Sequence, residues 1–170
     1  SICASGGHGL LIYHAIENKK KGMSVKENMQ ALEELKHRIV HKFTVDDLTY
    51  LQRGGRISKT AAVIGGMIQL KPVLHVDTEG RLAAESKVRG RKKALNQLLA
   101  EMDICTGGYA DKQDVVLICH ADCPEDAEYV RAKVEEKYHP NKIIMSEVGP
   151  IVGAHVGPGT MVLIFEGDKR

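Results

Sequence analysis

The residues most able to do chemistry gather in three short segments. The first is Arg53-Gly54-Gly55-Arg56-Ile57-Ser58. Paired glycines let a backbone bend sharply and approach a ligand closely. Ser58 is placed to open a helix, whose free N–H groups favour an anion. Arg56 adds a planar fork of donors suited to carboxylate or phosphate. The same residues would also serve as a plain helix connector with two solvated arginines. The second segment, 149–159, sets Gly149, Gly153, Gly157, Gly159, Pro150 and Pro158 around His155. Prolines stiffen a chain and glycines permit unusual dihedrals, so we read a loop that holds His155 in a fixed pose beside a buried ligand. A tight crossover with His155 bonded only to backbone is the alternative. The third segment is Val88-Arg89-Gly90-Arg91-Lys92-Lys93. It could meet nucleic acid or an acidic protein, or be a solvated helix start. At a helix N-terminus its charge opposes the dipole, with no evident folding benefit.

A fourth stretch, 59–67, follows Ser58 and reads as a helix. It sets Ala61, Ala62, Gly65 and Gly66 beside Val63, Ile64, Met67 and Ile68. Small residues among flexible apolar ones leave a groove or allow close helix packing. No Ser-His-Asp order, catalytic carboxylate pair or dinucleotide fingerprint stands out, and Gly6-Gly7-His8-Gly9 lacks the Gly-Lys-Ser/Thr ending of a phosphate loop. Asp46-Asp47 could hold Mg²⁺, but helix capping explains them as well. Cys3, Cys105, Cys119 and Cys123 have no regular spacing, which fits reduced cytosolic thiols. Cys119-His120 with Cys123 lacks the second ligand pair that a tetrahedral metal site needs. We therefore expect no metal, no cofactor and no catalytic residue.

Composition narrows the classes further. With 24 basic and 22 acidic residues the net charge is only +2, and there are no Trp and two Phe. Neither a wholesale polyanion binder nor a base-stacking surface fits, so no nucleic-acid partner is expected. No apolar run approaches the roughly 20 residues of a membrane span.

The elements that must position these segments are legible in outline. Leu10 to Ile16, ended by Lys19-Lys20-Lys21-Gly22, predicts a helix with a basic last turn. Ser24 and Glu27 form a capping box for a second helix over 25–38. Residues 39–45 alternate as a strand, and Asp46-Asp47 open a short helix to Leu51. Strands over 72–77 and 81–87 join through Thr78-Glu79-Gly80 as a hairpin. A helix over 90–102, a strand over 114–119, a helix from Pro124 to Tyr138, and strands over 142–147 and 161–165 complete the chain. The hairpin forces antiparallel pairing, so we predict an α/β fold with one mixed sheet and helices on both faces. The opening residues read as part of another layer. Ser1 sits in what looks like the middle of a domain, which implies processing or a missing upstream segment.

Taken together, these segments resemble the DegV family. The matching residues are Ala4-Ser5-Gly6-Gly7 with Gly9-Leu10-Leu11, Asp46-Asp47-Leu48 with Tyr50-Leu51, Gly54-Gly55-Arg56-Ile57-Ser58-Lys59 and Lys71-Pro72. Lys87-Val88-Arg89-Gly90-Arg91-Lys92-Lys93-Ala94, His120-Ala121-Asp122, Gly149-Pro150 and 155–159 continue the match. His8 departs from it, standing where the family often has Gln. The resemblance implies a bacterial, cytoplasmic, lipid-binding protein without catalysis of its own. Such a protein is the binding subunit of fatty acid kinase, which holds a long-chain fatty acid and presents its carboxylate to the kinase catalytic subunit. On this resemblance Arg56, Ser58 and His155 belong to the head-group network. Ala61, Ile64, Met67 and Ile68 line the acyl channel, and Lys59 and Arg89 meet the kinase. Residues 1–38 would be the end of an N-terminal parallel-sheet domain with its linking helix, and 39–170 the C-terminal α/β domain. Family members are longer at the N-terminus, where hydroxyl side chains grip the carboxylate. The competing function is an enzyme or binding protein for a phosphorylated small molecule, held at the Gly-rich turn 54–58.

Overall fold

A computed structural model describes residues 2–58, 70–107, 111 and 113–169. The expected helix over 59–67, with Lys59, Ala61, Ile64, Met67 and Ile68, lies outside the described residues.

Among the described residues six strands form one mixed sheet: β1 (Ile39–Thr44), β2 (Leu70–Val76), β3 (Leu82–Arg89), β4 (Val115–Ala121), β5 (Lys142–Glu147) and β6 (Thr160–Glu166), in the order β3-β2-β1-β6-β4-β5. Among the described residues only β4 and β5 pair in parallel, across a helical crossover; every other neighbouring pair is antiparallel. Central β1 is buried at all six positions, as a strand covered on both faces must be.

The period of two along each strand sorts the core into two layers. Val40, Val116, Ile118, Leu163 and Phe165 face α4 (Arg91–Thr106) and α5 (Pro124–Tyr138), which contribute Leu95, Leu98, Met102, Val130 and Val134. On the opposite face Ile39, Val115, Leu117 and Ile164 pack against Leu10 and Leu11 of α1 (Ser5–Lys20) and Leu35 of α2 (Val25–Leu35). Farther along that face, Phe43 and Leu74 meet Leu48 and Leu51 of α3 (Leu48–Arg53) and Val156 of α6 (Pro150–Val156). The expected mixed sheet with helices on both faces is therefore present.

Local signals set several boundaries. The Ser24–Glu27 capping box is complete, with Ser24 N–H donating to Glu27 Oε2 at 2.8 Å and Glu27 N–H to Ser24 Oγ at 3.3 Å. Asp47 caps α3 by accepting from Thr49 N–H at 2.8 Å. The β2–β3 hairpin closes on Asp77, whose carboxylate accepts from the N–H groups of Glu79 and Arg81. One expectation is corrected: 149–159 is not all loop, because Pro150–Val156 is helical. Pro150 at the first helical turn is pre-set for helix. Val152 and Val156, four residues apart, reach the apolar layer around Leu51 and Phe43. Packing there outweighs the low helix propensity of the glycines. Gly157, at φ +75°, ends the helix.

Candidate functional site

The turn after α3 rims a cavity of about 590 Å³ on the α3 side of the sheet. Its apolar surface comes from Leu48, Ile57, Pro72, Leu74, Leu82 and Ala84, and Gly55, Arg56, Ser58, Gly80, Arg81 and Lys87 complete the lining. Sites for small organic molecules are concave, about 300–1,000 Å³, and mostly apolar with a few polar groups. This cavity has that character. Sequence reasoning brought Arg56 and Ser58 to it but missed Lys87, and both Arg56 and Ser58 are exposed residues.

The turn itself is held from two sides. Arg56 donates from Nη1 to the Gly54 carbonyl at 2.6 Å, curling its side chain back over the turn. From α6, the imidazole of His155 lies against Gly54, where any added Cβ would collide with His155 Nδ1. Glycine is needed at 54 for this close approach, not for its dihedrals, which are right-handed helical at φ −73° and ψ −3°. The structure thus brings the two Gly-rich segments together. His155 supports the turn from behind, and it is not among the residues that line the cavity. Its Nδ1 is buried without a hydrogen-bond partner among the described residues. A buried orphan nitrogen is costly and marks a place where geometry is held by something other than local bonding.

Arg91 corrects the reading of the basic helix start as a turn without folding benefit. Its guanidinium reaches Asp126 in the first turn of α5 at 2.7 Å and Asp46 at 3.4 Å, and Lys71 pairs with the same Asp46 at 2.7 Å. These half-exposed pairs each contribute little, up to about 1 kcal/mol. Their effect is geometric: they tie the starts of α4 and α5 to the loop between β1 and α3. The pairs line a polar cleft of about 560 Å³ together with Tyr50, Asp122, Cys123 and Gly159. Lys92 lies over the Tyr129 ring, 5.8 Å from its centroid. Arg89 ends β3 and is exposed.

The cysteines are packing residues in this arrangement. Burial pushes the Cys119 thiol up to about 11 and raises that of Cys123, whose Sγ donates to the Thr160 carbonyl at 3.3 Å. Metal binding needs thiolates, which burial disfavours here. Among the described residues no group of three or more His, Cys, Asp or Glu could hold a metal ion. Among them, too, no helix is long and apolar enough to cross a membrane.

Behind the cavity floor, on the α4 face, the side chain of Lys42 is 1% exposed. It donates to both carboxylate oxygens of Glu85 at 2.7 Å and lies 3.8 Å from Glu101, which also accepts from Gln97 at 2.8 Å. A lysine in the apolar run Ile39-Val40-His41-Lys42-Phe43 was the available signal for this cluster.

Comparison with known proteins places the chain. The family model described as "Uncharacterised protein, DegV family" matches residues 1–168. A DegV domain-containing protein of Clostridium perfringens is 41% identical over 164 residues, covering 96% of this chain and 56% of that protein. The chain therefore spans little more than half the length of that relative. Among solved structures, the DegV family protein of Thermus thermophilus, described by its fatty acid binding, is 28% identical with a TM-score of 0.84. That match covers 98% of this chain and 59% of the other. The fold is also shared, at TM-score 0.84 and 19% identity, with the Fatty Acid Kinase (Fak) B3 protein of Streptococcus pneumoniae, solved with linoleic acid. There the match covers 94% of this chain and 55% of the other. With a family match over residues 1–168, the chain belongs to the DegV family.

Proposed function

We propose that the protein binds a long-chain fatty acid and presents its carboxylate to a partner kinase for phosphorylation, catalysing nothing by itself. The observation that carries this reading is the cavity, which joins an apolar floor of Leu48, Leu74, Leu82 and Ala84 to the donors Arg56 and Ser58. An acyl chain needs apolar walls and its carboxylate needs donors. Each buried methylene offers up to about 0.8 kcal/mol before the costs of association. The fatty acid binding of the Thermus thermophilus relative supports the ligand, and the shared fold with the Fak B3 protein is in keeping with a kinase partner. In this reading Ala61, Ile64, Met67 and Ile68 complete the acyl wall, and His155 holds the turn that carries Arg56. Lys59 and Arg89 face the kinase. Residues 1–38 close a first domain, 39–170 form the second, and the protein works in the cytoplasm. The competing ligand, a phosphorylated small molecule, would use the same donors but leave the apolar floor unexplained.

Organic extraction and mass analysis of the purified protein test the ligand. Long-chain fatty acids are expected in the extract, and Arg56→Ala should weaken their binding by about 1.5–3 kcal/mol, as loss of a charge-assisted hydrogen bond does. A lipid-free extract at good protein recovery, with no uptake of added fatty acid, would refute the reading.

A further inference from the structure

Strand β3 does not keep its alternation. Leu82 and Ala84 pair with Val76 and Leu74, and Leu82, Ala84 and Leu74 line the cavity. Ala83 lies opposite His75, on the α4 face. Simple alternation would next turn Ser86 to the cavity and Lys87 away from it. Instead the register slips between Val73 and Leu74. Val73 pairs with Ser86 and Leu74 with Ala84, so Glu85 is an extra residue with no counterpart on β2. Beyond this bulge Lys87 pairs with Pro72 and both line the cavity, while Val88 packs into the α4 core. One inserted residue thus exchanges an apolar side chain for a cation at the cavity.

The bulged residue is held from beneath. Glu85 accepts both 2.7 Å hydrogen bonds from Lys42, whose side chain is 1% exposed. The pair anchors Glu85 on the α4 face; taking Glu85 to the cavity face would leave a buried ammonium without its main partner, which is far costlier than an interrupted ladder. Bulges commonly re-aim a side chain beside a functional site.

We propose that Lys87 is a head-group-binding residue of the cavity, which the Glu85 bulge delivers to the same lining as Arg56 and Ser58. This deepens the fatty-acid reading above and rests on it. Arg56 supplies a planar fork, and Lys87 supplies a point charge on a flexible stem. Together with the Ser58 hydroxyl they fit an amphiphile with an anionic end.

The test measures binding of oleic acid and of oleyl alcohol to the delipidated protein. The two ligands share chain length and unsaturation but differ in charge. Lys87→Met is expected to weaken oleic acid binding about tenfold, the scale of one charge-assisted bond. Oleyl alcohol binding should be unchanged, and Lys87→Arg should restore most of the loss. Lys26→Met, an exposed cation on α2, should alter neither ligand, which excludes a general charge effect. Equal oleic acid affinity in wild type and Lys87→Met overturns the proposal, as does a parallel loss of acid and alcohol. Wild-type protein that takes up neither ligand would instead overturn the fatty-acid reading itself.

Discussion

Substituting Gly54 by alanine isolates the contact between the two Gly-rich segments, because the backbone term and the packing term have opposite signs. Gly54 already sits at φ −73° and ψ −3°, a conformation that alanine adopts without strain. On backbone grounds alone Gly54→Ala should stabilise by about 0.4–1 kcal/mol, through the lost freedom of the unfolded chain. The new Cβ, however, would fall on the His155 ring, meeting Nδ1, Cγ and Cε1. Forcing a methyl into such a contact costs about 1–3 kcal/mol. The net expectation is a loss of about 1–2 kcal/mol, or roughly 2–8 °C in Tm for a chain of this size. In a His155→Ala background the collision is gone, and Gly54→Ala should become neutral or stabilising. Urea unfolding of the four proteins, compared at unchanged m value, gives the coupling directly. A stabilising Gly54→Ala in the wild-type background would refute the contact. So would an equal loss in both backgrounds.

Three further outcomes follow from the cluster, the thiol and the charged rim. Lys42→Met leaves the buried Glu101 and half-buried Glu85 carboxylates without their cation and should cost about 3 kcal/mol in chemical unfolding, part of it recovered by adding Glu85→Leu. Burial raises the Cys119 thiol from 9.0 to about 11, so its contribution is intact below about pH 9 and is lost as pH rises toward 11. Stability should fall across that window, and less steeply in Cys119→Ala; identical slopes in the two proteins would contradict it. Under the kinase reading, Lys59→Ala with Arg89→Ala should slow acyl phosphate formation at saturating lipid. The difference should shrink at high salt, because exposed charges are screened over about 8–10 Å near physiological ionic strength.

Where a signal was local, the residues disclosed the structure. Pro124 with acidic residues in the first turn marks α5, which runs from Pro124 to Tyr138 as expected. The capping box at Ser24 and the turn at Asp77 are likewise closed by neighbours two to four residues away. Helix α6 was hidden because its glycines and prolines read as loop. Only the apolar layer that receives Val152 and Val156 makes helix the better state.

The amino-acid sequence by itself determined the family motifs, the order of most elements, the layered α/β class and the placing of Arg56 and Ser58 in one turn, which lines the cavity. Each of these follows from residue type and short-range spacing. Tertiary structure alone decided three things. It set the His155 ring against Gly54, which requires α3 and α6 to meet. It turned Arg91 from a free surface cation into a tie to Asp126 and Asp46. It also exchanged Val88 for Lys87 at the cavity, through a bulge at Glu85, the partner of Lys42 on another strand. The physical reason is common to all three. A side chain's partner, and with it the face it presents, depends on the register and packing of segments far away in the chain, and one slipped residue moves every side chain beyond it to the other face.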